Sequence, residues 1–245
     1  MFTSTRFLTE QLGVDTDVAA FFVDRRVPPD NVYWRDRKLY VASGTGYLFI
    51  PIIYDILLRV GVDKAILLEE DHVCRMEWVL DSAGKVEFEN LSGVGHILTC
   101  VKLMEPVVRN EWLWNGLQEY FIIRNGEPTR WLGRAIHPLN RADTFLFSLC
   151  DLPMNELLTQ AFIPYWYALI AAFLLMDDIV DWDIDKQQGE ENAIRFLGEG
   201  SEAVRKAIEM LRGDFETLSN INPALGAYFG ASLQKQIKKL SNLWR

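Results

Sequence analysis

The chain offers little sulfur or imidazole chemistry, with three cysteines, Cys74, Cys100 and Cys150, and three histidines, His72, His96 and His137, in 245 residues. No two cysteines form a CxxC pair and the histidines are equally dispersed. That spacing excludes a disulfide framework and a zinc site, and it suits a reducing cytoplasm. Positive charge is also scarce. With 34 acidic against 25 basic residues the net charge is −9, which excludes a general nucleic-acid binder, because phosphate contacts draw their affinity from clustered Lys and Arg. An anionic ligand would need a metal ion or a local basic patch. The N-terminal MFTSTRFLTEQLGVDTD has acids where a signal peptide has its apolar core, so the expected location is cytoplasmic. A membrane span is not expected either. Residues 161–176 stop short of the ~20 apolar residues a span requires, and Pro164 and the following aspartates interrupt any extension. They are read as a buried core helix.

What the chain does have is a 49% apolar fraction, with no repeat or low-complexity segment, enough for a large core. Turn signals at 28-PPDN-31, 82-SAG-84, 125-NGEP-128, 152-LPMN-155 and 220-NINP-223 leave helix-sized intervals between them. From about 141 onward the pattern is helical, over 141–150, 154–182, 201–219 and 224–244. In the third of these Val204, Ile208, Leu211, Phe215 and Leu218 recur at three- and four-residue spacing, as one buried face requires. The first half supports two readings. Residues 38–46 and 64–71 fit strands flanking a helix at 47–60, and 78-WVLDSAGKVEF-88 and 120-YFIIRNGEPTRWL-132 fit hairpins. Yet 65–81 also fits a helical face through Ile66, Val73, Met76 and Leu80. The expectation is an all-α bundle in one domain over 1–245, with a subdivision near 130–140 as an option. The alternative is an α/β chain with a Rossmann-like N-terminal half and a helical C-terminal half.

The densest chemistry lies where sixteen uncharged residues, 161–176, run into five aspartates within nine positions. On a single helix over 165–186 residues step by about 100°. Asp177, Asp178, Asp181 and Asp185 then share roughly a quarter-turn arc, while Asp183 falls on the far side. The same stripe runs back through Leu174, Ile170 and Tyr167, giving an apolar and aromatic wall that ends in carboxylates. Like charges three and four residues apart cost about 0.2–0.5 kcal/mol per pair, so a cation is expected to offset them. Hard oxygen ligands without sulfur or imidazole select Mg²⁺ or Mn²⁺, and Mg²⁺ is commonly completed by water and substrate phosphate. The plain alternative is an acidic helix end in water. Arg134, Arg141 and Lys186 are the cations nearest in sequence and are candidates for binding an anionic substrate, although each equally suits a surface. Trp112, Trp114, Tyr120 and Trp131 fit either a cation-stabilising cavity lining or ordinary core packing.

The run 175-LMDDIVDWDIDKQQGEEN-192 resembles the second aspartate-rich motif of class I isoprenoid synthases, the polyprenyl diphosphate, squalene/phytoene and terpene synthases. There an apolar helix ends in DDxxD, followed by a further acid and a glycine-containing loop. Upstream, 141-RADTFLFSLC-150 is similar to the helix preceding this motif in polyprenyl synthases, with Thr144 near the threonine of their KT pair and Asp143 in place of the lysine. The resemblance covers roughly 141–245. It implies a terpenoid-synthase-like helical bundle whose cavity binds a prenyl diphosphate through Mg²⁺, ionises it and guides the carbocation. Asp177, Asp178 and Asp181 would be metal ligands, supported by Asp185 or Glu190, and a homodimer is common in the family. Such enzymes face this motif with acids on an opposing helix. The first half offers 69-EED-71 or the pair Asp55 and Asp63, neither a good match, so a non-catalytic helical relative is the neighbouring expectation.

A second resemblance covers 38–73. The string 44-GTGYLFIPIIYDILLRVGVDKAILLEEDHV-73 is similar to the nucleotide-binding start of sulfur-carrier adenylating enzymes of the ThiF and MoeB type. Gly44 and Gly46 would let the backbone approach phosphates at a helix N-terminus. Phe49 stands at the third glycine's position, CRMEWVLD replaces the arginine-bearing segment, and no CxxC follows.

Overall fold

The computed structural model describes residues 4–37, 39–41 and 45–243, with side chains at all of these except positions 45, 46, 183, 186 and 239–243. The described α-helices are α1 (Thr5–Glu10), α2 (Thr16–Asp24), α3 (Thr45–Val60), α4 (Lys64–Leu67), α5 (Glu70–Phe88), α6 (Gly93–Met104), α7 (Glu111–Leu117), α8 (Glu156–Val180), α9 (Trp182–Gln188), α10 (Gly200–Ile221) and α11 (Pro223–Leu243). The fold is all-α. Among the described residues there is no strand, so the α/β alternative has no sheet on which to build a nucleotide site. Of the first expected strand, positions 38 and 42–44 lie outside the described residues. The second is helical, because the Asp63 side chain accepts from Ala65 N at 2.7 Å and so starts α4 rather than extending the chain.

Both expected hairpins are corrected too. Residues 78–88 lie inside α5, where Val73, Met76, Val79 and Leu80 are buried at helical spacing, and residues 120–132 form a π-helical turn, Gln118–Ile123, followed by a left-handed turn at Asn125 and Gly126. The region 141–150 is helical as expected but tighter, a 3₁₀ stretch over Asp143–Leu149.

The central element is α8. Asn155 caps it by accepting from Leu158 N. By length and composition it could cross a membrane, yet 56% of its most apolar stretch is buried inside the protein. Helices α3 and α10 pack along it, with α7 and α11 at its flanks. Phe173 of α8 meets Phe229 of α11 edge-on at 5.3 Å, and Phe229 stacks on Phe215 of α10, which locks three helices together.

Helix α5 packs chiefly on α6, on the Asp143–Leu149 stretch and on the short 3₁₀ turn Val32–Trp34. Three contacts hold that turn flat against α5. Asn31 Nδ2 donates to Glu77 O at 2.9 Å and Val32 N donates to Asp81 Oδ1 at 2.8 Å. At Gly84 an added Cβ would lie 2.7 Å from Tyr33 N, closer than packed atoms tolerate, so only glycine lets the two backbones approach. Between α5 and α8 a space is left, with Tyr33 on its rim.

Candidate functional site: an apolar cavity with an acidic mouth

The space is a cavity of about 350 Å³. Its apolar wall on α8 comes from Ile170, Phe173 and Leu174, and the opposite wall on α5 from Val79, Leu80 and Ala83. Phe49 of α3 and Phe145 of the 3₁₀ stretch close the aromatic end, their rings edge-to-face at 5.0 Å, with Phe145 stacked on buried Trp166. Both helices carry the same pattern. Ile170 and Leu174 lead to Asp177, and Leu80 and Ala83 lead to Glu87, each acid seven residues beyond the first apolar residue and so two turns along the same face. Asp177 on α8 and Glu87 on α5 thus both line the cavity, and Arg141 lines it too.

The cluster around Asp177 is electrostatically tense. Loss of part of its hydration at the rim pushes its carboxyl above the ordinary range, and the carboxylates of Asp181 and then Asp185 add to this, while Arg141 opposes it. Repulsion therefore persists although the helix is not continuous. Helix α8 ends at Val180 and the chain bends at Asp181 (φ −96°, ψ 6°) before α9, so the single helix expected over 165–186 is corrected to two.

That bend separates the aspartates by role. Asp178 is 3% exposed. Its Oδ2 accepts from Ala193 N at 2.8 Å and its Oδ1 from Arg141 Nη2 at 3.3 Å, while its backbone carbonyl accepts from Asn192 Nδ2 at 2.8 Å. Burial raises its pKa despite these partners. Asn192 Nδ2 also donates to Asp185 Oδ2 at 2.8 Å, and Arg195 Nη2 donates to the Asp185 carbonyl at 2.9 Å. Asp178 and Asp185 therefore fasten the 189–196 loop to the end of α8, and neither lines the cavity. Asp181 is half-buried at the bend, and Glu190 is exposed.

The other expected residues divide in the same way. Ile170, Leu174 and Arg141 line the cavity. Tyr167 does not. Its hydroxyl donates to Asp143 Oδ2 at 3.1 Å and accepts from Gly133 N. Arg134 is held by Asp214 of α10 at 2.8 Å and lies over the Tyr167 ring, away from the mouth. The side chain of Lys186 lies outside the described residues. Trp112 and Trp131 pack on each other and Trp114 on Phe147; Trp112 and Trp114 are partly buried against the core, Trp131 is exposed, and none of the three lines the cavity. Tyr120 belongs to the surroundings of Asp143, which is fully buried and also accepts from Trp166 Nε1 at 2.9 Å. Burial pushes the Asp143 carboxyl up to about 7 against the hydrogen bonds from Trp166, Tyr167 and Tyr120.

Sequence reasoning did not single out Glu87 or Phe173. The signal for Glu87 was present in α5 as the i, i+3, i+7 order of Leu80, Ala83 and Glu87, the counterpart of the α8 stripe. Among the described residues, no three His, Cys, Asp or Glu side chains form a cluster able to hold a metal ion. Comparison with protein-family models, with curated proteins and with solved structures finds no match for this chain.

Proposed function

We propose that the α5/α8 cavity takes an apolar chain along its walls and the chain's anionic head at its mouth, as a class I isoprenoid synthase-like protein acting on a prenyl diphosphate. The observation that carries this reading is an apolar cavity whose lining includes two acids from different helices, Asp177 and Glu87, together with Arg141. The donor set is carboxylate oxygen without sulfur or imidazole among the lining residues, which suits Mg²⁺. Two carboxylates are enough for Mg²⁺ when water and substrate phosphate complete its shell, so the want of a three-residue cluster fits a metal that arrives with its substrate. Asp177 and Glu87 would hold it. Bound there, Mg²⁺ would neutralise the charge that develops on the departing diphosphate.

Arg141 has its Nη2 on Asp178 and a third of its side chain exposed, so it can turn a guanidinium edge to a diphosphate oxygen without leaving its partner. The walls exclude water from the reacting end of the chain. A volume near the lower end of the ~300–1,000 Å³ of small-molecule pockets suits a short prenyl chain better than a long one.

The use of Asp178 and Asp185 as loop fasteners favours a second reading, a non-catalytic relative that binds the same ligand without ionising it. Measuring inorganic diphosphate released from geranyl or farnesyl diphosphate with Mg²⁺ separates the two. Under the first reading the wild-type chain releases diphosphate, and Asp177→Asn and Glu87→Gln each lower the rate by about 10²-fold, roughly 2.7 kcal/mol of barrier. Binding without release supports the second reading, and neither binding nor release overturns both.

A further inference from the structure

Thr144 lines the cavity, and its Oγ1 lies 2.9 Å from Nε2 of His96 on α6. Nδ1 of the same imidazole lies 2.9 Å from Ser82 Oγ of α5, with Cys100 Sγ at 3.6 Å. Ser82 and His96 are 3% and 5% exposed, so a chain of hydroxyl, imidazole and hydroxyl runs from the interior to the cavity wall. As satisfied buried polar groups these residues would need no further explanation. The Thr144 end of the chain belongs to the lining of a mostly apolar cavity, and Arg141, three residues before it, lines the same cavity. A ligand with its head at Arg141 would therefore have the first carbons of its chain beside the Thr144 hydroxyl.

Resting on the function proposed above, we infer that Thr144 is the catalytic group that takes the proton from the allylic cation, and that His96 is the positioning residue that receives Thr144's own proton. The C–O bond breaks and its electron pair leaves with the diphosphate. A C–H electron pair on the carbon next to the cationic centre becomes the new C=C bond, and its proton passes to Thr144 Oγ1. The hydroxyl proton of Thr144 moves to His96 Nε2, which is open to it when Nδ1–H donates to Ser82 Oγ. The proton then returns through Thr144 to an oxygen of the departed diphosphate. Nothing is oxidised or reduced, and the product is an alkene rather than the alcohol that water would give. Burial holds His96 neutral, its pKa pushed down to about 4, so the imidazole is unprotonated when the cation forms and gives the proton up readily afterwards.

The test uses the full chain with farnesyl diphosphate and Mg²⁺ and reads the ratio of alkene to alcohol per diphosphate released, so that a general loss of activity cancels. Folding of each variant is checked by its melting transition. Thr144→Val removes the hydroxyl, His96→Gln keeps a hydrogen-bonding group without the imidazole, and Thr144→Ser restores the hydroxyl. The ratio is expected to fall by at least about fivefold in Thr144→Val and His96→Gln and to recover in Thr144→Ser. Diphosphate release with one ratio in all four proteins overturns the relay and leaves the proposed function standing. No release from the wild-type chain overturns the proposed function and the relay with it.

Discussion

Asp177 and Asp178 are neighbours in sequence and opposites in circumstance. Asp177 is exposed and lines the cavity, with the carboxylates of Asp181 and Asp185 near it and, among the described residues, no hydrogen-bond donor fixed to its carboxylate. Asp178 is buried and saturated by Ala193 N and Arg141. One side of the end of α8 thus carries a carboxylate among like charges, and the other is spent on closing a loop. A run of acids that reads as one motif is two structures. The rim carboxylate stands among like charges, and the seam can hold the rim in place because it is satisfied.

The sharpest way to break this contrast is Asp178→Ala, which leaves Ala193 N buried without an acceptor and Arg141 without its partner. A loss of about 2–4 kcal/mol in urea unfolding is expected. Asp177→Asn should move the same quantity by no more than about 0.5 kcal/mol, in the stabilising direction, because it relieves repulsion from Asp181 and Asp185. Equal losses in the two variants would erase the distinction.

A smaller effect concerns the buried support behind α8. The carboxyl of Asp143 is raised from 3.8 to about 7, so between those values the folded chain holds a proton that the unfolded chain has released. Its contribution to stability is complete below about pH 4 and is lost as the pH rises to 7, by at most about 1.4 kcal/mol per pH unit for one proton. Asp143→Asn should flatten the fall in urea midpoint between pH 5 and 7. An unchanged slope would contradict the raised pKa.

The parts legible in the sequence are those decided by one helix face. Helices α8, α10 and α11 announced themselves by apolar spacing, and Ile170, Leu174 and Asp177 share a cavity because a helix of known step must place them together. What escaped depended on partners distant in sequence. Nothing near Asp178 reveals that Ala193 N and Asn192 will claim it and its neighbourhood, and a stripe drawn through Tyr167 cannot know that Asp143 and Gly133 hold its hydroxyl. The apparent turn at 82-SAG-84 misled for a related reason. Gly84 serves a helix, where it admits the backbone of Tyr33, a contact made by residues some fifty positions away. Tyr33 in turn completes the cavity rim, so the fold and the site were obscured by the same long-range contact.

The central claim, that the rim and the seam divide the acids between binding and structure, is tested most directly by ligand-dependent stabilisation of two variants. Melting temperatures of the wild-type chain, Asp177→Asn and Asp178→Asn are measured with and without Mg²⁺ plus farnesyl thiodiphosphate, an unreactive analogue of the proposed substrate. A ligand at a hundred times its Kd adds about 2.7 kcal/mol of stability. The wild-type chain and Asp178→Asn should both gain, the latter from a lower starting temperature, while Asp177→Asn starts near the wild-type value and gains nothing. A gain kept by Asp177→Asn and lost by Asp178→Asn would contradict the account.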